Sequence, residues 1–175
     1  MLIAVLSDIH SNLPALEAVM TAVDRDRPDE IHCLGDVVGY GADPEPCIDI
    51  IRRRCTTVVL GNHDLAVADG SGMKLLPPHG RIAAEHNASK LSAEDRHWLA
   101  NLPLTAASAN ATFVHASPHD PDSWTRIESF PIAQVQFEYF DTDVCFIGHS
   151  HVPAVLADRV GVFNVRAGYR FLINV

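Results

Sequence analysis

Several short apolar, β-favouring runs in this chain end on a residue type that binds metal, and this recurrence constrains the fold more than any other feature. The motifs are Asp8-Ile9-His10, Gly35-Asp36-Val37-Val38-Gly39, Gly61-Asn62-His63-Asp64, Val114-His115 and Gly148-His149-Ser150-His151. They are spread over almost the whole length of 175 residues. A parallel sheet gathers its strand ends along one edge, which is where ligands bind in α/β folds. Residues far apart in sequence therefore meet at one place.

The runs themselves alternate strand with helix. Leu2–Leu6 is continuous and apolar, as in a strand buried on both faces. Ser11 or Asn12 can cap the helix that follows, with Pro14 in its first turn and Leu13, Leu16, Val19, Met20 and Val23 at helical spacing. Ile31–Leu34 and Thr56–Leu60 read as the next strands, with a helix from Pro44–Pro46 to about Arg54 between them. Arg52–Arg54 then suit the helix C-terminus through its dipole. Ala66–Gly80 is expected to be an ordered loop near the site. Arg81–Ala88 reads as helical, and Ser92-Ala-Glu-Asp95 resembles a capping box for a short helix stopped by Pro103. Thr112–Val114 and Val144–Ile147 are further strands, with a helix over Ile132–Phe140 between them. Gly161–Val165 and Tyr169–Val175 read as a closing hairpin. No repeat, linker or low-complexity tract divides the chain, so residues 1–175 are expected to form one domain.

Composition narrows the function classes. Apolar residues make up 47% and charged residues 20%, the balance of a globular protein. The net charge of −9 argues against broad nucleic-acid binding and against an anionic membrane surface. No apolar run approaches the roughly 20 residues that span a bilayer. The apolar N-terminus lacks a basic leader and a cleavage site, so cytoplasmic residence is the expectation. Cys33, Cys47, Cys55 and Cys145 include no C-x-x-C pair and read as free thiols.

The motif chemistry is that of hard or borderline divalent cations. Asp8 and His10 stand two positions apart, so on an extended chain both side chains point the same way. His149 and His151 repeat the spacing. Gly35 and Gly39 bracket Asp36 in a sharp turn. Asn62 offers a neutral amide oxygen, which holds a second ion without accumulating negative charge. Some motifs are weak alone: D-x-H is common in loops, G-D-x-x-G is mostly a turn signal, and a lone histidine such as His115 is more often a surface or capping residue; Gly61-Asn62-His63-Asp64 is much less expected by chance, and G-H-S-H after a strand is moderately specific. Their joint occurrence in this order is specific.

The set D-x-H, G-D-x-x-G, G-N-H-D, H and G-H-x-H resembles the calcineurin-like metallophosphoesterases over essentially the whole chain. Gly35-Asp-Val-Val-Gly-Tyr-Gly41, Leu60-Gly-Asn-His-Asp64 and Val114-His-Ala-Ser-Pro118 resemble its small bacterial phosphodiesterase branch. The resemblance implies a four-layer α/β/β/α sandwich. It implies two divalent ions (Mn, Fe, Ni, Co or Zn), one held by Asp8, His10, Asp36 and His151, the other by Asp36, Asn62, His115 and His149. It gives His63 the task of protonating the leaving oxygen or stabilising phosphoryl charge, with Asp64 orienting its ring. The implied reaction is phosphate-ester hydrolysis by attack of a metal-bridging hydroxide. The absence of G-D-x-V-D-R-G, and Asp rather than Glu at position 64, argue against the protein serine/threonine phosphatase branch.

The chain departs from the family in stopping at Phe171-Leu-Ile-Asn-Val175, where relatives continue with a further loop and strands. A C-terminally shortened sandwich with an exposed terminal edge strand is therefore expected. The expected partner is a small phosphate ester. A phosphomonoesterase, a nucleotide pyrophosphohydrolase and a catalytically weak scaffold are the competing readings, and a homo-oligomer is compatible with each. His119, Asp120 and Arg126 read as surface residues, with substrate contact as the alternative. Trp98, Trp124, Phe130, Phe137 and Phe140 read as core aromatics. His32, His79, His86 and His97 have no motif context.

Overall fold

The structure, a computed structural model, describes residues 1–162 and 164–175. Strand β1 (Ile3–Leu6) carries only aliphatic side chains and pairs in parallel with β2 (Glu30–Cys33). Strand β3 (Thr57–Val58) joins β2, again in parallel, to complete a three-stranded sheet. Parallel neighbours need crossovers, and helices α1 (Leu13–Asp26) and α2 (Pro44–Arg54) supply them. Asn12 starts α1 by accepting the Ala15 N–H at 3.2 Å. Leu16, Met20 and Val23 then bury one helix face, and Arg27 ends the helix in a left-handed conformation.

Helices α3 (Asn62–Asp69), α4 (Pro78–Lys90) and α5 (Ala93–Ala100) follow, and α3 packs against the other two. Ala66–Gly80 is therefore not one loop. Its first residues complete α3, a single 3-10 turn covers Met73–Leu75, and α4 begins at Pro78. Gly70 and Gly72, at φ 83° and 71°, make the turn alone, so the glycine signal is more local than the sequence suggests. Ser92 caps α5 as expected, accepting the Asp95 N–H at 3.1 Å.

The second sheet has the order β4-β5-β6-β8-β7. Strands β4 (Thr105–Ser108) and β5 (Ala111–Val114) form a hairpin, and β5 pairs in parallel with β6 (Val144–Ile147). Helix α6 (Phe130–Gln136) starts earlier and ends earlier than its periodicity indicates. Strand β7 (Ala154–Ala157) pairs antiparallel with β8 (Phe171–Asn174), which lies parallel to β6 on its other side. The expected pairing of Gly161–Val165 with the last run is overturned. The described residues of that segment form turn and coil, and Phe163 lies outside the described residues. The expected terminal edge strand is corrected too: β8 is internal, and β7 is the edge.

Four layers result. Leu34, Val59, Ala111 and Phe113 fill the space between the sheets. Leu6, Ile31, Val58 and the apolar faces of α1 and α2 pack on the outer side of the first sheet. Val114, Cys145 and Leu172 meet Ala133, Phe137 and Phe140 on the outer side of the second. This is the α/β/β/α sandwich. No helix among the described residues is long and apolar enough to cross a membrane.

Candidate metal centre

Main-chain hydrogen bonds continue beyond the strands and lock the site loops together. Asp8 N–H donates to the Gly35 carbonyl at 3.1 Å, His10 N–H to Asp36 at 2.8 Å and Ser11 N–H to Val37 at 2.9 Å. In the second sheet, Gly148 N–H donates to the His115 carbonyl at 2.8 Å. The two loop sets meet where His149 N–H donates to Asp8 Oδ2 at 3.1 Å. A side chain at Gly61 would overlap the main-chain nitrogen and carboxylate of Asp36, and one at Gly148 would overlap Ser7 and Asp8. These two glycines are what allow the loops to close this tightly.

All seven expected ligand residues and His63 come together. Asp8, His10 and His151 form one group, and Asp36, His115 and His149 another, with ligand atoms in each within 4.8 Å of one another. Asp36 also groups with His10 and His63, so it sits between the two. Asn62 joins the second group, its Oδ1 3.2 Å from His115 Nε2. Asp8, His10, Asp36, His149 and His151 all have positive φ, between 49° and 66°. Such backbone is costly for non-glycine residues and concentrates where side chains must be aimed.

The donor atoms fit a cation. His10 Nδ1–H donates to the Val38 carbonyl at 3.2 Å, which leaves Nε2 as a lone pair. That nitrogen faces His151 Nε2 at 3.2 Å and Asp36 Oδ2 at 3.7 Å. His115 Nδ1–H donates to the Leu34 carbonyl at 2.7 Å, and its Nε2 faces Asp36 Oδ2 at 3.4 Å. Acceptors thus converge on acceptors inside a largely buried site. A divalent ion satisfies such a set, and main-chain carbonyls bonded to the far ring nitrogens are the usual support of metal-binding imidazoles. The set is nitrogen and oxygen only, which suits borderline or hard ions.

Electrostatics agree with this reading. Burial opposes charge on Asp36, but His115, His10 and His63 outweigh it and hold the carboxyl well below its usual range. Burial likewise opposes a proton on His115, yet Asp36 pushes the imidazole up to about 9. The carboxylate calls for positive charge at Nε2, which a proton or a metal ion supplies. Burial, then His115, bring His149 down to about 4.

His63 borders the cleft, its ring 4.9 Å from that of His10 and 4.6 Å from that of Tyr40. Its N–H donates to Asp36 Oδ1 at 2.8 Å, and burial brings its imidazole down to about 4. Its Nδ1 is enclosed without a hydrogen-bond partner, against Gly39. The expected role of Asp64 is corrected here. Its oxygens accept the N–H groups of Val38 and Gly61, each at 3.1 Å, so the carboxyl braces two site loops and does not hold the His63 ring. Burial and the charge of Asp36 push Asp64 up to about 7.

A cleft of about 280 Å³ opens over Asp36, Asn62, His63, His149 and His151, with Tyr40, Trp124, Arg126 and the Leu75–Pro77 segment as walls. Arg126 thus reaches the site that its sequence context leaves open, while His119 and Asp120 do not line this cleft. His119 instead packs against Tyr139, with ring centroids 4.2 Å apart and the planes tilted by 36°. Trp124 and Phe130 are not core residues: the Trp124 ring stands 6.0 Å from His115, and Phe130 is exposed. Sequence reasoning also gave no role to Tyr40 or Asn87. Buried Asn87 of α4 accepts the Gly39 N–H at 2.7 Å and the Ser11 hydroxyl at 2.6 Å, and donates to the Gly41 carbonyl at 2.9 Å. The glycines flanking Tyr40 were the available signal for that residue; Asn87 has none.

A sandwich with acid, amide and imidazole groups converging at its strand ends defines a metallophosphoesterase scaffold. The chain belongs to the calcineurin-like phosphoesterase family, whose family model matches residues 1–153. It is similar to the uncharacterized protein MJ0912 of Methanocaldococcus jannaschii, 37% identical over 90% of this chain and 65% of that protein. It is also similar to the symmetrical bis(5′-nucleosyl)-tetraphosphatase of Photobacterium profundum, 29% identical over 68% of this chain and 42% of that protein. The chain therefore spans less than two thirds of the length of either curated relative. Among solved structures, a metallophosphoesterase from Sphaerobacter thermophilus superposes with a TM-score of 0.84 at 35% identity, covering 99% of this chain and 75% of that one.

Proposed function

We propose that this chain is a metal-dependent phosphodiesterase with a dinuclear centre. The observation that carries the proposal is the convergence of two ligand groups on the shared carboxylate of Asp36. Asp8, His10, Asp36 and His151 would hold one divalent ion, and Asp36, Asn62, His115 and His149 the other. Ions bound there supply Lewis-acid polarisation of a phosphoryl oxygen and a water that loses its proton near neutral pH. The chain's own groups do the rest. Val38 and Leu34 carbonyls fix the ring orientation of His10 and His115 through the bonds to Nδ1. His63 lines the cleft with Nδ1 enclosed, which leaves Nε2 to hold a proton for the leaving oxygen or to meet phosphoryl charge.

Purified protein supplied with Mn²⁺ should hydrolyse bis(p-nitrophenyl) phosphate, and chelation should abolish the activity. His63→Ala should lower turnover by roughly 10²-fold while elemental analysis still finds two ions per chain. Loss of the ions in that variant would overturn the division of roles. Fewer than one tightly held ion in the unaltered chain after reconstitution would favour a scaffold. A nucleotide pyrophosphohydrolase is the second reading, supported by the similarity to the bis(5′-nucleosyl)-tetraphosphatase. Hydrolysis of phosphoanhydrides in preference to diesters would select it.

A further inference from the structure

The walls of the cleft differ in chemistry from its floor. The floor holds Asp36, Asn62, His63, His149 and His151, all accounted for by the proposed hydrolysis. The walls carry groups that the hydrolysis does not use. Trp124 stands on one side, held in a left-handed conformation at φ 54° directly after a 3-10 turn. That backbone is unusual for a bulky residue and fixes where the indole stands. Two residues on is Arg126, whose only ion pair among the described residues is with Glu128 at 3.7 Å, with both side chains more than half exposed. A pair of that kind contributes little and is easily exchanged for another anion. Leu75, Leu76 and Pro77 line the same cleft, and Leu75 is 81% exposed. The cleft therefore combines a cation, an indole and an apolar rim beside a phosphate-binding floor, in a protein whose net charge is −9.

We propose that Trp124 and Arg126 form a recognition wall for a nucleotide substrate: a disubstituted phosphate in which one substituent carries a further phosphate and a nucleobase. This rests on the reading that the floor hydrolyses phosphoric diesters or, as the pyrophosphohydrolase reading has it, phosphoanhydrides, and it names their class. The scissile phosphate lies on the floor. The guanidinium of Arg126 takes the neighbouring phosphate, a match that its planar donor set makes well. The base lies on the face of Trp124 and covers the apolar rim. Aromatic stacking tolerates any base, so the wall selects for a nucleotide and not for one nucleobase.

The test compares kcat/KM of the Mn²⁺-loaded protein on bis(p-nitrophenyl) phosphate, thymidine 5′-(p-nitrophenyl phosphate) and diadenosine tetraphosphate. Arg126→Ala should lose roughly tenfold more kcat/KM on the tetraphosphate than on the bis-aryl diester, mainly through KM, and Arg126→Lys should recover part of the difference. Trp124→Leu should lose roughly tenfold on the tetraphosphate, and Trp124→Phe should restore most of it. Equal losses on all three substrates would overturn the proposal, because the residues would then serve the floor. A second arm does not depend on turnover. In a Trp98→Phe background, Trp124 is the sole tryptophan, and ADP should quench its fluorescence saturably, more weakly when Arg126→Ala is added. No quenching would overturn the recognition wall even in an active enzyme. Quenching in a protein that hydrolyses none of the substrates would leave the wall standing and sink the proposed hydrolysis.

Discussion

Asn87 makes no contact with the ligand atoms, yet it joins three turns that carry the site. Ser11 follows His10, Gly39 lies against His63, and Gly41 donates its N–H to the His10 carbonyl at 2.8 Å. Asn87→Ala would leave the Ser11 hydroxyl, the Gly39 N–H and the Gly41 carbonyl without partners in a buried place. A loss of about 3 kcal/mol is expected, measured by urea unfolding, together with weaker metal retention on dialysis. The convergence of the candidate ligands was readable because their residue types are chemically restricted and most of their motifs follow strands. Asn87 was not, because asparagine within Glu-His-Asn-Ala-Ser looks like any polar residue on a helix. Trp124 misled for the opposite reason: an indole usually marks a core, and here it lines the cleft from a left-handed position directly after a 3-10 turn.

Helix α4 shows why some elements carry their evidence poorly. Its buried residues are Gly80, Ala84 and Asn87, spaced as a helix stripe but too small or too polar to register as an apolar face. The stripe lets the helix approach the site loops closely: a side chain at Gly80 would lie 3.3 Å from the Tyr40 hydroxyl. Ala84 is fully buried, so Ala84→Leu should overpack this contact and lower stability by about 1–3 kcal/mol, seen as a lower Tm. The strands divide in the same way. The Ile3–Leu6 and Val144–Ile147 runs are legible because each is continuous, apolar and followed by a site motif, whereas β4 reads Thr-Ala-Ala-Ser, with little apolar signal, and β7 reads Ala-Val-Leu-Ala, apolar but only four residues long and without turn signals of its own. Those two are the edges of their sheet.

At the level of the whole molecule, the alternation of strand and helix made an α/β fold legible, and the four layers came from the family resemblance, but the strand order of the second sheet was not legible at all. Order depends on which run inserts between which others, and composition does not record that. Placing β8 inside the sheet gives Leu172 complete burial and leaves Val155 of β7 more than half exposed. Leu172→Ala should therefore cost about 2–5 kcal/mol in chemical unfolding. Val155→Lys should shift stability by less than about 0.5 kcal/mol and lower the turbidity of concentrated samples. The same insertion sets a timetable for synthesis. Among the described residues β7 has β8 as its only ladder partner, and β8 is made later. On the ribosome Ala154–Ala157 therefore emerges ahead of the strand it pairs with, and stays without that ladder until residues 171–174 have followed it out of the exit tunnel.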